Sequence, residues 1–146
     1  MIIRKIEEKD IEKLAKLMKS VYNEAPWNDE WTEESAEEAI KCLLAFPNFF
    51  GLIACDEGDA LGAILGNIRP YSKQRTYYID ELFVSSAHRR QGIAKKLYEG
   101  ARDELKNIGV SGAFFTTLKN SDAYKFYIKE GAFDLDDSAV FYHQFN

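Results

Sequence analysis

The stretch richest in chemistry runs from Tyr77 to Tyr98, YYIDELFVSSAHRRQGIAKKLY. A hydrophobic strand pattern ends at Val84, a short polar loop follows, and a helical pattern begins at about Gly92. The loop reads Arg89-Arg90-Gln91-Gly92-Ile93-Ala94. Small residues at 92 and 94 let backbone N–H groups come close to a ligand. A helix start adds unpaired donors and the positive end of a dipole, which together suit a phosphate or pyrophosphate. Arg89, Arg90 and Lys95 add full charges. The residues therefore describe an anion-binding helix start; an ordinary glycine-containing helix start with solvated basic residues is the alternative. Neither G-x-G-x-x-G nor G-x-x-x-x-G-K-[ST] is present.

Arg89-x-x-Gly92-x-Ala94, placed directly after a strand, resembles the signature R/Q-x-x-G-x-G/A of the GNAT family of N-acetyltransferases. The preceding Glu81-Leu82-Phe83-Val84 and the downstream Asn120-x-x-Ala123-x-x-Phe126-Tyr127-x-x-x-Gly131-Ala132-Phe133 extend the resemblance over essentially the whole chain. The resemblance implies acetyl-CoA as cosubstrate. Its pantetheine arm would bond backbone groups of Leu82, Phe83 and Val84. Its pyrophosphate would sit on the N–H groups of Arg90, Gln91, Gly92, Ile93, Ala94 and Lys95, with Arg89 beside them. Asn120 matches an amide that contacts the pantetheine part, and Tyr127 matches a tyrosine near the cofactor sulfur. The C-terminal half is similar to the diamine acetyltransferases of the family.

Aminolysis of a thioester needs a neutral amine, whereas an alkyl amine with a pKa of about 10.4 is mostly protonated at neutral pH. A base must remove that proton, donors must polarise the carbonyl, and an acid should protonate the leaving thiolate. Asp80 and Glu81 are the two candidate bases on the signature strand. Adjacent strand residues face opposite sides, so one at most is expected to point at the substrate, unless a bulge changes which. A solvated or salt-bridged acid is the alternative for each. Tyr127 is the candidate acid, with Tyr124 behind it, and a core tyrosine is the alternative. No cysteine or serine nucleophile is required, so direct attack in a ternary complex is expected. The acceptor, a small-molecule amine, would meet the segment from Tyr22 to Trp31: Tyr22, Trp27 and Trp31 as rings, Glu24, Asp29 and Glu30 as charge. Acetylation of a protein N-terminus or lysine, and a CoA-binding module without catalysis, are the competing functions.

These residues need a scaffold, and the hydrophobic pattern supplies one. Ile2 to Ile6 alternates as a strand, and Ile11, Leu14, Leu17, Met18, Val21 and Tyr22 repeat at helical spacing over about Lys9 to Glu24. Thr32 with Glu33 and Glu34 starts a second helix that Pro47 must end near Phe46. Phe49 to Cys55, Leu61 to Ile68 and Thr76 to Val84 read as three strands, joined by turns at Asp56–Asp59 and Pro70–Lys73. A helix from Gly92 to Gly109, a strand from Val110 to Leu118, a helix from Ser121 to Gly131 and a terminal strand Val140 to Phe145 complete the pattern. The expected order is β-α-α-β-β-β-α-β-α-β. This is an α/β (α+β) fold of the GNAT type, a single domain over 1–146 with helices on both faces of a mixed sheet.

Composition sets the outer bounds. With 146 residues, 46% hydrophobic and 14% aromatic, the chain can build one sizeable core. A net charge of −5 argues against a nucleic-acid partner. Charge is uneven: His88, Arg89, Arg90, Lys95 and Lys96 cluster, whereas Glu24 to Glu38 carries seven carboxylates and neither Lys nor Arg. Cys42 and Cys55 lack metal-ligand spacing, and His88 and His143 have no partnering motif, so no metal is expected. No signal peptide or membrane span is apparent, and a reducing cytoplasm is the expected compartment. Small members of the resembled family often dimerise; the sequence itself does not fix an oligomeric state.

Overall fold

The computed structural model describes all 146 residues. In chain order they form β1 (Ile2–Lys5), α1 (Ile11–Tyr22), α2 (Glu33–Leu44), β2 (Phe49–Asp56), β3 (Asp59–Tyr71), β4 (Gln74–Val84), α3 (Ile93–Asn107), β5 (Gly112–Phe114) and α4 (Asp122–Lys129). The five strands make one mixed sheet in the order β1-β2-β3-β4-β5. The first three pairings are antiparallel and β4 runs parallel to β5. By internal contacts the chain divides into two compact units, Met1–Phe115 and Thr116–Asn146.

In the first unit both faces of the sheet are covered. α1 and α2 bury Leu14, Met18 and Ile40 against Ile53, Leu65 and Phe83. α3 buries Leu97 and Leu105 on the opposite face, against Leu52, Ile64 and Tyr77. Two covered faces explain why β2 and β3 read as nearly continuous apolar runs. Thr32 caps α2 by accepting a hydrogen bond from Ser35 N, and Ser35 answers by accepting from Thr32 N. The box partner is therefore a serine, with Glu33 and Glu34 facing the dipole.

The second unit holds α4. Ser121 caps it by accepting from Tyr124 N at 3.1 Å, and Gly131 at φ 104° ends it. Tyr124 donates its hydroxyl to Asp134 at 3.1 Å.

Nine elements follow the expected order; the tenth, a strand over Val140–Phe145, is not formed. Val140, Phe141, Tyr142 and Phe145 are 81–92% exposed. β-type composition supplies side chains for a strand, but a strand exists only where a neighbour takes its backbone groups, and composition cannot name that neighbour. For the same reason β5 is three residues long rather than the whole of Val110–Leu118.

A buried ion pair joins β1 to α1. Arg4 grips Asp10 with two bonds of 2.8 Å, Glu7 N donates to the same carboxylate at 2.8 Å, and Lys13 Nζ lies 3.4 Å away. Asp10 is fully buried. The Arg4 guanidinium, against an opposing burial cost, holds its carboxyl down at about 2 rather than 3.8.

The second constraint is in the sheet. Leu65 pairs with Glu81 but Gly66 pairs with Ile79, so β4 carries one surplus residue at Asp80. Tyr77 and Ile79 belong to the α3 side, and beyond the bulge Leu82 and Val84 do too, while Phe83 belongs to the α1–α2 side. The bulge has shifted the alternation by one. At Gly66 a Cβ would collide with the Tyr78 carbonyl oxygen and stand 2.8 Å from the Tyr77 ring.

Two outcomes follow from these constraints. Asp10 has its carboxyl lowered on folding, so its contribution of about 2 kcal/mol is complete above about pH 4 and is lost as pH falls towards 2. Asp10→Asn is expected to cost about 3 kcal/mol at pH 7 in urea unfolding, with the gap to wild type narrowing below pH 4. Gly66→Ala is expected to lose about 3 kcal/mol, because the obstructing atom is backbone and cannot move aside cheaply; an unchanged urea midpoint would show that the bulge tolerates a side chain.

Candidate active site

The loop after β4 is built as an anion cradle. A single 3-10 turn, Ser86–His88, leads into Arg89 at φ −68°, ψ 155°. Arg90 (φ 63°) and Gly92 (φ 76°) then take the left-handed conformation, and Gly92 caps α3 without a side-chain bond. Lys96 is the first residue of the helix whose N–H finds a backbone acceptor, Gly92 O at 3.0 Å. The N–H groups of Gln91, Gly92, Ile93, Ala94 and Lys95 donate no backbone hydrogen bond. A Cβ on Gly92 would meet no atom within 4 Å, so the space before the helix is open. Gly62 brings β3 close underneath: a Cβ there would stand 2.9 Å from Phe83 O and 3.3 Å from Ile93 Cγ2. Arg89, Arg90, Gln91 and Lys95 are exposed, Ala94 is half-buried and Ile93 is buried.

Beside this cradle β4 has an open edge. Its pairing with β5 covers only Thr76–Tyr78, and Ile79–Val84 continue with β3 on one side and no strand on the other. Phe83 is buried in the core, and Leu82 and Val84 pack towards α3. Their side chains hold the strand in place while the backbone edge stays available for an added strand-like ligand. An extended arm ending in a pyrophosphate fits that edge followed by the row of N–H donors.

The bulge brings the two candidate bases together. Glu81 shares the α1–α2 side with Phe83, and Tyr22 hydrogen-bonds its carboxyl. Asp80 reaches the same side, where Asn67 Nδ2 donates to its Oδ2 at 3.2 Å. Simple alternation had one acid at most on that face; the surplus residue lets both turn to it. Burial pushes the Glu81 carboxyl up to about 7, Tyr22 pulls it down, and the charges of Asp80 and Asp29 push it further up. Asp80 is also raised by burial, against Arg69 and the Asn67 bond, which lower it. A carboxyl near 7 can take a proton from an amine at neutral pH.

The acceptor-side residues divide. Tyr22 ends α1 with its ring edge-on to Trp27 at 5.6 Å and to Phe83 at 5.9 Å. Trp31 packs against the α1–α2 core, donates Nε1 to Asp29 at 3.1 Å, and is tied by its backbone N to Asn23 at 2.9 Å. Both rings are half-buried; Trp31 is the one packed against the core and tied down at its backbone, whereas Trp27 rests on Tyr22. Glu24 points into solvent and its carbonyl organises the turn, accepting from Trp27 N and Asn28 N.

In the second unit Asn120 is exposed and left-handed (φ 62°), just before the Ser121 cap. Tyr127 is 9% exposed on α4. Tyr124, the reserve acid, spends its hydroxyl on Asp134. No cluster of three or more His, Cys, Asp or Glu side chains is arranged for a metal, and no helix is long and apolar enough to cross a membrane. Two neighbours of Asp80 escaped the sequence reading, Asn67 and Arg69, together with Tyr78, whose ring lies under Arg69. A single amide inside the apolar run LGAILGNI was the available signal, since a buried polar group needs a partner.

Comparison with known proteins bears on the family and the fold. Over 76 residues the chain is 34% identical to an acetyltransferase from Agrobacterium fabrum, a match covering 52% of this chain and 52% of that relative, so the chain spans about half the length of the curated relative it matches. An aminoglycoside acetyltransferase from an uncultured soil metagenomic sample, solved with sisomicin, superposes with a TM-score of 0.77 at 23% identity, covering 99% of this chain and 96% of the other. A ribosomal-protein-alanine N-acetyltransferase from Brucella melitensis gives 0.77 at 22%, covering 99% and 100%. At those identities the two structures establish the fold alone. Residues 11–132 match the family described as Acetyltransferase (GNAT) family, and the chain belongs to that family.

Proposed function

We propose that this protein transfers the acetyl group of acetyl-CoA to the primary amine of a small molecule by direct attack in a ternary complex. The observation that carries the reading is Glu81: a carboxyl held near 7 on the open-edged strand, bonded by Tyr22 and set by a bulge. The family match over residues 11–132 supports the acetyl-transfer reading. The thioester of acetyl-CoA supplies an activated acetyl group. Glu81 takes the ammonium proton, and the neighbouring charge of Asp80 keeps Glu81 basic enough to do so. Backbone groups of Leu82–Val84 hold the pantetheine arm, the N–H groups from Arg90 to Lys95 hold the pyrophosphate, and Asn120 holds the pantetheine amide. Tyr127 gives its proton to the leaving thiolate. Its phenol, near 10 in water, suits a thiolate of about 8.5. The acceptor lies against Tyr22 and Trp27. Acetylation of a protein N-terminus or lysine is the second reading, with a ribosomal-protein-alanine N-acetyltransferase among the proteins of like fold. A panel of small amines and N-terminal peptides in a thiol-release assay separates the two, and tight acetyl-CoA binding without any accelerated release would leave a binding module.

Glu81 acts as its carboxylate, so kcat/KM should rise with pH through about 7 and level off above it. Glu81→Gln is expected to lower kcat by about 10²–10⁴ and to remove that limb, leaving only the rise due to the amine's own ionisation. A retained limb would move the role of base elsewhere. The tryptophans should separate cleanly. Trp27→Ala is expected to raise the acceptor KM about 5–10-fold with stability nearly intact, and Trp31→Ala to cost about 2 kcal/mol in urea unfolding with a smaller effect on KM.

A further inference from the structure

Arg69 stands out on the acidic face around Glu81. It is exposed, yet it is held at two points. Its Nε donates to Asn67 Oδ1 at 2.8 Å, and its guanidinium lies 4.0 Å from the centroid of the Tyr78 ring. It takes part in none of the ion pairs of the fold. Asn67 is 5% exposed and uses both ends of its amide, one for Arg69 and one for Asp80. A buried amide spent in this way fixes the cation and the carboxylate side by side while keeping them from closing on each other. With Nε spent on Asn67 and the guanidinium over the Tyr78 ring, the two terminal nitrogens make no hydrogen bond or ion pair within the fold, and such a pair is the fork that a carboxylate fits.

The spacing limits what could bridge to it. On β3, Leu65 lies opposite Glu81 and Arg69 is four residues further on, roughly 13 Å along the strand. Because Nε folds back to Asn67, two residues nearer, the guanidinium sits roughly 7 Å from the level of Glu81. A molecule with an amine and a carboxylate close together spans that gap with one hydrogen bond at each end. A polyamine or a polycationic amino sugar would instead set an ammonium against a fixed guanidinium.

We infer that Arg69, positioned by Asn67 and Tyr78, is the anchor for an acceptor carboxylate, and that the acceptor is of the α- or β-amino-acid class. This rests on the acetyl-transfer reading for the site and names its substrate class. The test pairs each amino acid with the amine that lacks only its carboxylate: L-phenylalanine with phenethylamine, and β-alanine with ethylamine. In the wild type the amino acid of each pair is expected to have the lower KM, about 10–100-fold, with similar kcat. Arg69→Met should abolish that difference while leaving the KM of the plain amine nearly unchanged, and Arg69→Lys should restore only part of it. Calorimetric titration of the same four compounds reads the preference without turnover. A carboxylate preference in binding that Arg69→Met removes supports the anchor even if no amine accelerates thiol release, an outcome that would sink acetyl transfer alone. Equal or better use of the plain amines by the wild type, with equal binding, overturns the anchor, as does an Arg69→Met variant that weakens both members of a pair alike.

Discussion

The Tyr78 carbonyl lies so close to Gly66 that no side chain fits between β3 and β4 at that level, and β4 absorbs one residue more than its partner just beyond it. Much of the site hangs on that surplus. Without it Glu81 and Phe83 would face α3, Leu82 and Val84 would face α1 and α2, and the core would have to accept a carboxylate among leucines. With it, the strand changes phase within one residue. An acid is then seated at the boundary between core and solvent, under the hydroxyl of Tyr22. The cost is local: a glycine that packs nothing and a ladder interrupted once.

Two adjacent acids on one face raise the question of which one titrates near neutrality. Exposure separates them. Asp80 is the more exposed of the two; burial raises it, and an amide and a nearby guanidinium pull it back down. Glu81 is enclosed, its one helper is a neutral phenol, and two further acids lie near it. At Glu81 desolvation and the like charges of Asp80 and Asp29 push in the same direction, whereas at Asp80 desolvation is opposed by the Arg69 charge and the Asn67 bond. The division of labour therefore comes from environment rather than residue type.

Much of this was legible in the sequence where the determinants are local. Thr32 and Pro47 bound α2, Gly109 and Gly131 close α3 and α4 in left-handed conformations, and the basic loop with Gly92 announces a helix start stripped of caps. The alternation rule failed at Asp80 because a bulge is a property of two strands, and only the partner reveals it. Arg4 and Asp10 were passed over because they look like ordinary surface charges until β1 is laid beside α1. Val140–Phe145 has the composition of a strand and no partner within the chain, the reverse error, in which side-chain pattern was read as pairing. Asn67 could have been noticed as a lone amide in an apolar run, but its two partners, one two positions along and one across the turn, could not.

The early end of the β4–β5 ladder has a bearing on how the protein must be handled. From Ile79 to Val84 the outer edge of β4 presents main-chain donors and acceptors with no strand to take them. A polypeptide edge of that length is an attractive template for any extended segment, including one from another copy. A small molecule lying along it would act as a removable hem, finishing the sheet while it is present. Preparations stripped of such a molecule should therefore be the ones that associate and precipitate on storage, and adding it back should protect solubility as much as it supplies chemistry.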